Sequence, residues 1–329
     1  MEIGTLPAVS APLPWHGEAW NRFTEQLESE QLPHALLLTG ARYTGKARLA
    51  LALARLLLCQ APSDGLNCGQ CHACNLSASG SHGDFRLLQP EQKSRVIKID
   101  QVRELVSFAT KTASFGKRKV MVIAPADAMN TNAANALLKS LEEPSSETYL
   151  ILVCQQLQGV PATIRSRCQM LKLPPPPQEP ALTWLDHITG GRPESERLYA
   201  MAGGLPLLAE AIFCQEDGEE LVSARVGVRA LLAGRIAPAE LVALLLQASL
   251  EDVLEQLNAA LQDLLRNSAA PGLRSPGGLA AFALLDEVRN MERAVRAGAN
   301  PNRQLMIESI VGKVHRELGA SVGNDSIVA

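Results

Sequence analysis

Two kinds of apolar pattern alternate along the first half of the chain. Pro33 to Thr39, Val120 to Ile123 and Tyr149 to Cys154 are short, nearly unbroken apolar runs without polar alternation. That is the pattern of strands in a parallel sheet covered on both faces. The stretches between them have helical spacing. Lys46 to Cys59 is rich in Ala and Leu, contains no breaker and reads as a buried helix. Ile99 to Thr112 places Val102, Leu105, Val106 and Ala109 along one side, and Thr131 to Glu143 forms a helix stopped by Pro144. Strands alternating with helices predict a parallel, helix-covered α/β sheet.

The pattern changes at Pro174-Pro175-Pro176-Pro177, followed by Pro180. Four prolines continue neither a helix nor a central strand, so this segment reads as a stiff linker. No strand pattern follows it. Residues 181–212 read as a small helical unit interrupted by Gly190-Gly191 and Gly203-Gly204. From Glu219 on, the spacing predicts long amphipathic helices over Leu250–Arg266, Leu279–Ala297 and Arg303–Leu318, with Pro271 to Gly278 separating two of them. The first aligns Val253, Leu254, Leu257, Leu261, Leu264 and Leu265 on one face. No internal repeat is present. The expected domains are 1–173, 178–215 and 216–329, with an insertion at about 59–84.

Composition narrows the function classes. Of 329 residues, 47% are hydrophobic but only 4% aromatic, so the core must be built from Leu, Ala, Val and Ile. A net charge of −3 supplies no basic excess, and any nucleic-acid contact must be local or shared with partners. There is no apolar run long enough to span a bilayer, and the first residues lack a basic-then-apolar leader pattern. The expected setting is a reducing cytoplasm, where seven cysteines need a reason other than disulfides.

Cys59, Cys68, Cys71 and Cys74 supply such a reason, with the spacing C-x8-C-x2-C-x2-C. Thiolates two residues apart can close on one ion, and four make a tetrahedral structural zinc site. Four unrelated buried cysteines are the plain alternative, but sixteen polar, loop-like residues are a poor setting for that. An iron–sulfur cluster is the sharper rival; its bacterial run continues with x3-C-P, and position 78 here is Ala. His72 and His82 are possible substitute ligands. Cys154, on an apolar strand, reads as a core thiol.

Gly40-Ala41-Arg42-Tyr43-Thr44-Gly45-Lys46-Ala47 has the glycine and lysine spacing of a phosphate-binding loop, placed between a strand and a helix. An ordinary strand-to-helix turn is the competing reading. The residue after the lysine should carry a hydroxyl for Mg²⁺, and it is Ala47. The strand at 119–123 should end in acids that complete the metal site, and it runs into Ala124-Pro125. Lys46 can still attract phosphate and the loop amides can still form an anion nest, so ATP binding is doubtful and hydrolysis is not expected. Thr163-Ile164-Arg165-Ser166-Arg167-Cys168 follows the third strand, and taken alone it reads as a solvated turn.

Ala133 and the run Asn135-Ala136-Leu137-Leu138-Lys139-Ser140-Leu141-Glu142-Glu143-Pro144 resemble the A-N-A-L-L-K-T-L-E-E-P segment of bacterial clamp-loader AAA+ subunits. Ser166-Arg167-Cys168 resembles their S-R-C motif, and the four cysteines resemble their zinc module in position and spacing. The resemblance covers roughly residues 14–175. It extends more loosely toward the C-terminus, through Asn302 to Glu308. It implies a RecA-like AAA+ domain with a zinc insertion, a small helical lid and an all-helical collar domain. It also implies that Arg167, with Ser166 and Cys168 as motif neighbours, reaches ATP held by an adjacent subunit. The family's motor subunits carry Thr after the loop lysine, Asp-Glu after the second strand and a sensing arginine near a lid helix. This chain has Ala47, Ala124-Pro125 and Gly203-Gly204-Leu205-Pro206.

All three departures point to the delta-prime branch of the family. The resemblance then implies a non-catalytic component of a DNA-directed DNA polymerase (nucleotidyltransferase) holoenzyme. Its partners would be the motor (gamma/tau) and delta subunits, the sliding clamp and, through the assembly, primed DNA. An active motor ATPase and a zinc-dependent nucleic-acid-binding module are the rival readings.

Overall fold

The computed structural model describes residues 6–319 apart from 92, 93, 95, 215–226, 229, 269, 297, 298 and 300. The chain forms two compact units, Met1–Trp184 and Leu185–Ala329.

The first unit is built on five strands: β1 (Ala35–Thr39), β2 (Phe85–Leu88), β3 (Lys119–Ile123), β4 (Thr148–Val153) and β5 (Gln169–Lys172). Their order across the sheet is β2-β3-β4-β1-β5, and every pairing is parallel. Its helices are α1 (Gly17–Glu28), α2 (Lys46–Leu58), α3 (His72–Ala78), α4 (Ile99–Ala109), α5 (Thr131–Glu142), α6 (Ala162–Arg165) and α7 (Gln178–Thr189), the last running into the second unit. The strands are apolar throughout because both faces are covered. Leu36, Leu38, Val120, Val122, Ile151 and Val153 pack with α1 and α2. Their alternate neighbours Ala35, Leu37, Met121, Ile123, Leu150 and Leu152 pack with α4 and α5. The period of two divides one continuous run between two cores.

The three strands expected from sequence are the three central ones, β1, β3 and β4. The edge strands β2 and β5 escape the apolar-run criterion. Each is four residues long and partly exposed, with Arg86, Gln169 and Lys172 among its residues. α1 also lacks a sequence expectation, although its buried face carries Ala19, Trp20 and Phe23.

In the second unit every described element is helical. α8 (Arg192–Met201) and α9 (Pro206–Phe213) come first, followed by helices Pro238–Leu245, Leu250–Asn267, Ala270–Leu273, Pro276–Arg296 and Arg303–Lys313. A π-helical turn, Val314–Leu318, continues the last of these. One core runs from Val228 to Leu318 and includes Leu241, Val253, Leu257, Leu261, Leu284, Val288, Ile307 and Val311. The separator expected at Pro271–Gly278 is itself partly helical, and the next helix begins at Pro276. Proline fits a first turn because its missing N–H has no intrahelical partner there. The expected helical start at Glu219 and the expected end at Ala297 lie outside the described residues.

Candidate functional site

The glycine loop joins the end of β1 to the start of α2. Gly40 has φ 151°, and a Cβ there would lie 2.8 Å from the Leu173 carbonyl oxygen. Gly45 caps α2 in the left-handed region at φ 88°. Both positions therefore require glycine. Lys46 is buried at the first position of α2. Its Nζ donates to the Gly40 carbonyl at 2.9 Å and also to the Ala41 carbonyl, closing the loop on itself. From the segment before α1, Trp15 Nε1 and His16 Nε2 both donate to the Thr44 carbonyl, at 2.9 and 2.7 Å. Burial pushes the His16 pKa down to about 4; the Thr44 hydrogen bond opposes that shift and the Lys46 charge adds to it. The ring is thus a neutral donor that pins the loop, a contact the sequence pattern does not reveal.

Ala47 occupies the second position of α2, and Ala124-Pro125 follows β3. None of these side chains offers an oxygen to a metal. The carboxylate just beyond, Asp127, accepts from the backbone N–H groups of Gln155 and Gln156 at 2.9 and 3.2 Å. It ties the segment after β3 to the segment after β4. Sequence reasoning missed Asp127; its only sequence signal is its place shortly after an apolar strand.

The four expected cysteines come together. Cys59 caps the end of α2, Cys71 caps the start of α3, Cys74 lies within α3 and Cys68 in the preceding loop. All four Sγ atoms lie within 4.8 Å of one another. Cys59 and Cys71 are 3.9 Å apart and Cys68 and Cys74 are 4.0 Å apart. A zinc–sulfur tetrahedron with bonds of about 2.3 Å has edges of about 3.8 Å, so the group fits such an ion. The backbone N–H groups of Cys68, Cys71 and Cys74 point at the Sγ atoms of Cys59, Cys68 and Cys71 at 3.3, 3.3 and 3.4 Å. Asn67 Nδ2 approaches Cys74 Sγ at 3.4 Å. Donors of this kind stabilise thiolates and orient metal ligands. Burial pushes the Cys59 thiol up to about 12. At Cys71, backbone and thiol donors outweigh burial and pull the pKa down to about 6.

His72 and His82 are not part of this group. Their rings pack on Phe115 at centroid distances of 5.7 and 6.1 Å, and His82 Nδ1 accepts from the Asp84 N–H. Cys154 and Cys168 stand apart too, each pushed up to about 12 by burial.

Ser166-Arg167-Cys168 follows α6 and leads into β5. Arg167 is exposed at the surface of this turn, whereas Arg165 is half-buried with its Nε lacking a hydrogen-bond partner. The Arg167 Nη1 donates to the Thr163 carbonyl at 3.0 Å, and its Nη2 meets Glu142 Oε1 at 2.7 Å. Glu142 is the last residue of α5, so the fold joins the two sequence motifs through one ion pair.

A parallel α/β sheet with a glycine loop between its first strand and helix defines a phosphate-loop-type domain. Here the positions that would anchor a metal are Ala and Pro, and four cysteines are inserted after α2. The family described as "DNA polymerase III, delta subunit" matches residues 15–177. The DNA polymerase III subunit delta' of Pseudomonas aeruginosa is 42% identical over 230 residues, covering 69% of each chain. That of Escherichia coli is 31% identical over 329 residues, covering 94% of this chain and 97% of its own. A DNA polymerase III gamma subunit-related protein from Thermotoga maritima shares the fold. Its TM-score is 0.50 at 16% identity, over 90% of this chain and 99% of that one. The chain belongs to the delta-prime subunit family of DNA polymerase III.

Proposed function

We propose that this chain is a non-hydrolysing clamp-loader subunit. It assists ATP-dependent loading of the sliding clamp onto primed DNA, in company with motor (gamma/tau) and delta subunits, and lends Arg167 to ATP bound by a neighbour. The observation that carries this reading is the pairing of a loop whose metal-anchoring positions carry no side-chain oxygen with an arginine at the surface. Ala47 and Ala124-Pro125 leave Mg²⁺ without protein anchors, so the charge that develops in phosphoryl transfer has no centre here to neutralise it. Arg167, outside that loop, presents a permanently charged planar fork at the surface, which suits a departing γ-phosphate on another chain.

The remaining assignments follow from this one. Cys59, Cys68, Cys71 and Cys74 hold a structural zinc ion. Residues 178–215 form a lid and residues 216–329 a collar that assembles with counterparts; the single helical core from Val228 to Leu318 supports the collar. Gly40, Gly45 and Lys46 remain as a phosphate loop whose lysine is occupied by loop carbonyls. Among the described residues no helix is long and apolar enough to cross a membrane, in keeping with a cytoplasmic replication protein.

The test is an ATPase and clamp-loading assay on the chain alone and after mixing with motor and delta subunits. The chain alone should show no turnover above background. Arg167→Ala should fold and assemble but lose stimulated ATPase and loading. Such arginines are worth about 10³–10⁵ in rate where they serve the only site, and less in total turnover where several sites fire. Arg165→Ala should cost less activity. Parental rates in Arg167→Ala complexes would reduce the motif to a surface turn.

A further inference from the structure

The sequence places two acids, Glu142 and Glu143, at the C-terminal end of α5. That is the wrong end for them: the helix dipole there favours cations, and each carboxylate works against it. A residue set against its local preference points to a role outside its own helix. For Glu142 the structure shows that role, since its Oε1 lies 2.7 Å from Arg167 Nη2. The two side chains are only half-exposed, at 50% and 37%. The other edge of the guanidinium is held by the Thr163 carbonyl, so the fork is fixed on two sides within its own chain.

We infer that Glu142 is a positioning residue that parks Arg167 while the neighbouring subunit lacks a γ-phosphate. This rests on the trans-acting role proposed for Arg167. A guanidinium cannot serve the Glu142 carboxylate and a neighbour's γ-phosphate with the same N–H groups. The two compete, and the more highly charged triphosphate wins. Loss of the γ-phosphate returns the arginine to Glu142. The ion pair therefore registers the neighbour's nucleotide state at the end of α5, and it lowers the affinity of the assembled site for ATP by the free energy needed to break it.

The experiment uses the full chain, alone and assembled with motor and delta subunits. Glu142→Gln keeps the size and hydrogen-bonding capacity but removes the charge. In the free chain, ¹⁵N resonances of the Arg167 guanidinium should show faster rotation and hydrogen exchange in Glu142→Gln. In the assembly, Glu142→Gln should lower the apparent KM for ATP about two- to fivefold, the range of an exposed ion pair. Glu143→Gln removes the same charge from the same helix end and should leave both readouts at parental values. In an Arg167→Ala background, Glu142→Gln should add nothing. An unchanged guanidinium signal and KM in Glu142→Gln would overturn the inference. So would an effect that persists without Arg167, because the role would then be merely structural. If Arg167→Ala itself has no effect on the assembly, the proposed trans role fails as well. If Arg167→Ala is defective while Glu142→Gln is silent, only the parking role fails.

Discussion

The four clustered cysteines sit in different local settings: Cys59 at the end of α2, Cys68 in the loop, Cys71 at the start of α3 and Cys74 within it. Cys71 caps α3, its Sγ lying 3.9 Å from that of Cys59 and accepting from the Cys74 backbone N–H, so its loss removes one of the four sulfurs and the cap together. We expect one zinc ion per chain by elemental analysis and well under half an equivalent after Cys71→Ser. Structural zinc contributes on the order of 10 kcal/mol in small isolated modules. Here the adjoining sheet has its own core, so Cys71→Ser should abolish hydrogen-exchange protection in α3 while leaving β1, β3 and β4 protected. Loss of protection across the whole sheet, or iron in place of zinc, would contradict that assignment. The exclusion of His72 and His82 from the cluster is also a matter of single residues. Both histidines are close to the cysteines in sequence, and Phe115, from the loop before β3, takes both rings.

The glycine loop behaves as one element because several chains of contact converge on it. Lys46 bonds its first two carbonyls, while Trp15 and His16 bond a third. His16 gives this element a pH dependence. Its pKa falls from 6.5 to about 4 on folding, chiefly through burial. Below pH 6.5 the unfolded chain takes up a proton at His16 that the folded chain refuses until about pH 4. Stability contributed by neutral His16 is therefore complete above pH 6.5 and is lost as the pH falls toward 4. At about 1.36 kcal/mol per pH unit the loss is at most about 3.4 kcal/mol. Denaturant titrations between pH 7.5 and 4 should show it, and His16→Gln should flatten that part of the profile. An identical pH slope in the variant would mean that other groups dominate. Among the strands, those at the centre were readable from their apolar runs. β2 and β5 were not, because an edge strand with one exposed side needs no such run.

The proposed collar makes its prediction through surface rather than core. Leu279 and Phe282 lie three residues apart on helix Pro276–Arg296, exposed at 62% and 45%, and Leu305 on the following helix is exposed at 66%. Large apolar side chains on outward helix positions suit contact with other subunits. Leu279→Glu combined with Leu305→Glu should change the unfolding free energy of the isolated chain by less than about 0.5 kcal/mol per site, as for ordinary surface changes. The same pair should weaken assembly with motor subunits about tenfold or more, measurable by analytical ultracentrifugation, if either residue is an anchor of the interface. Unimpaired assembly would move the subunit contact elsewhere on the chain.

The amino-acid sequence alone determined whatever depends on local spacing. It identified the three central strands, because apolar runs need no partner to be recognised, and the four cysteines, because thiolates two residues apart converge on their own. It also displayed the alanines and proline where a metal site would need oxygen. The tertiary structure decided what depends on meetings between distant segments: His16 on Thr44, Asp127 on the loop after β4, Phe115 on two histidines, and Glu142 on Arg167. These contacts have no periodicity and no fixed spacing. They exist only once a parallel sheet has set separate segments side by side, the His16 and Asp127 contacts at the C-terminal ends of its strands and the Phe115 and Glu142 contacts at the N-terminal ends.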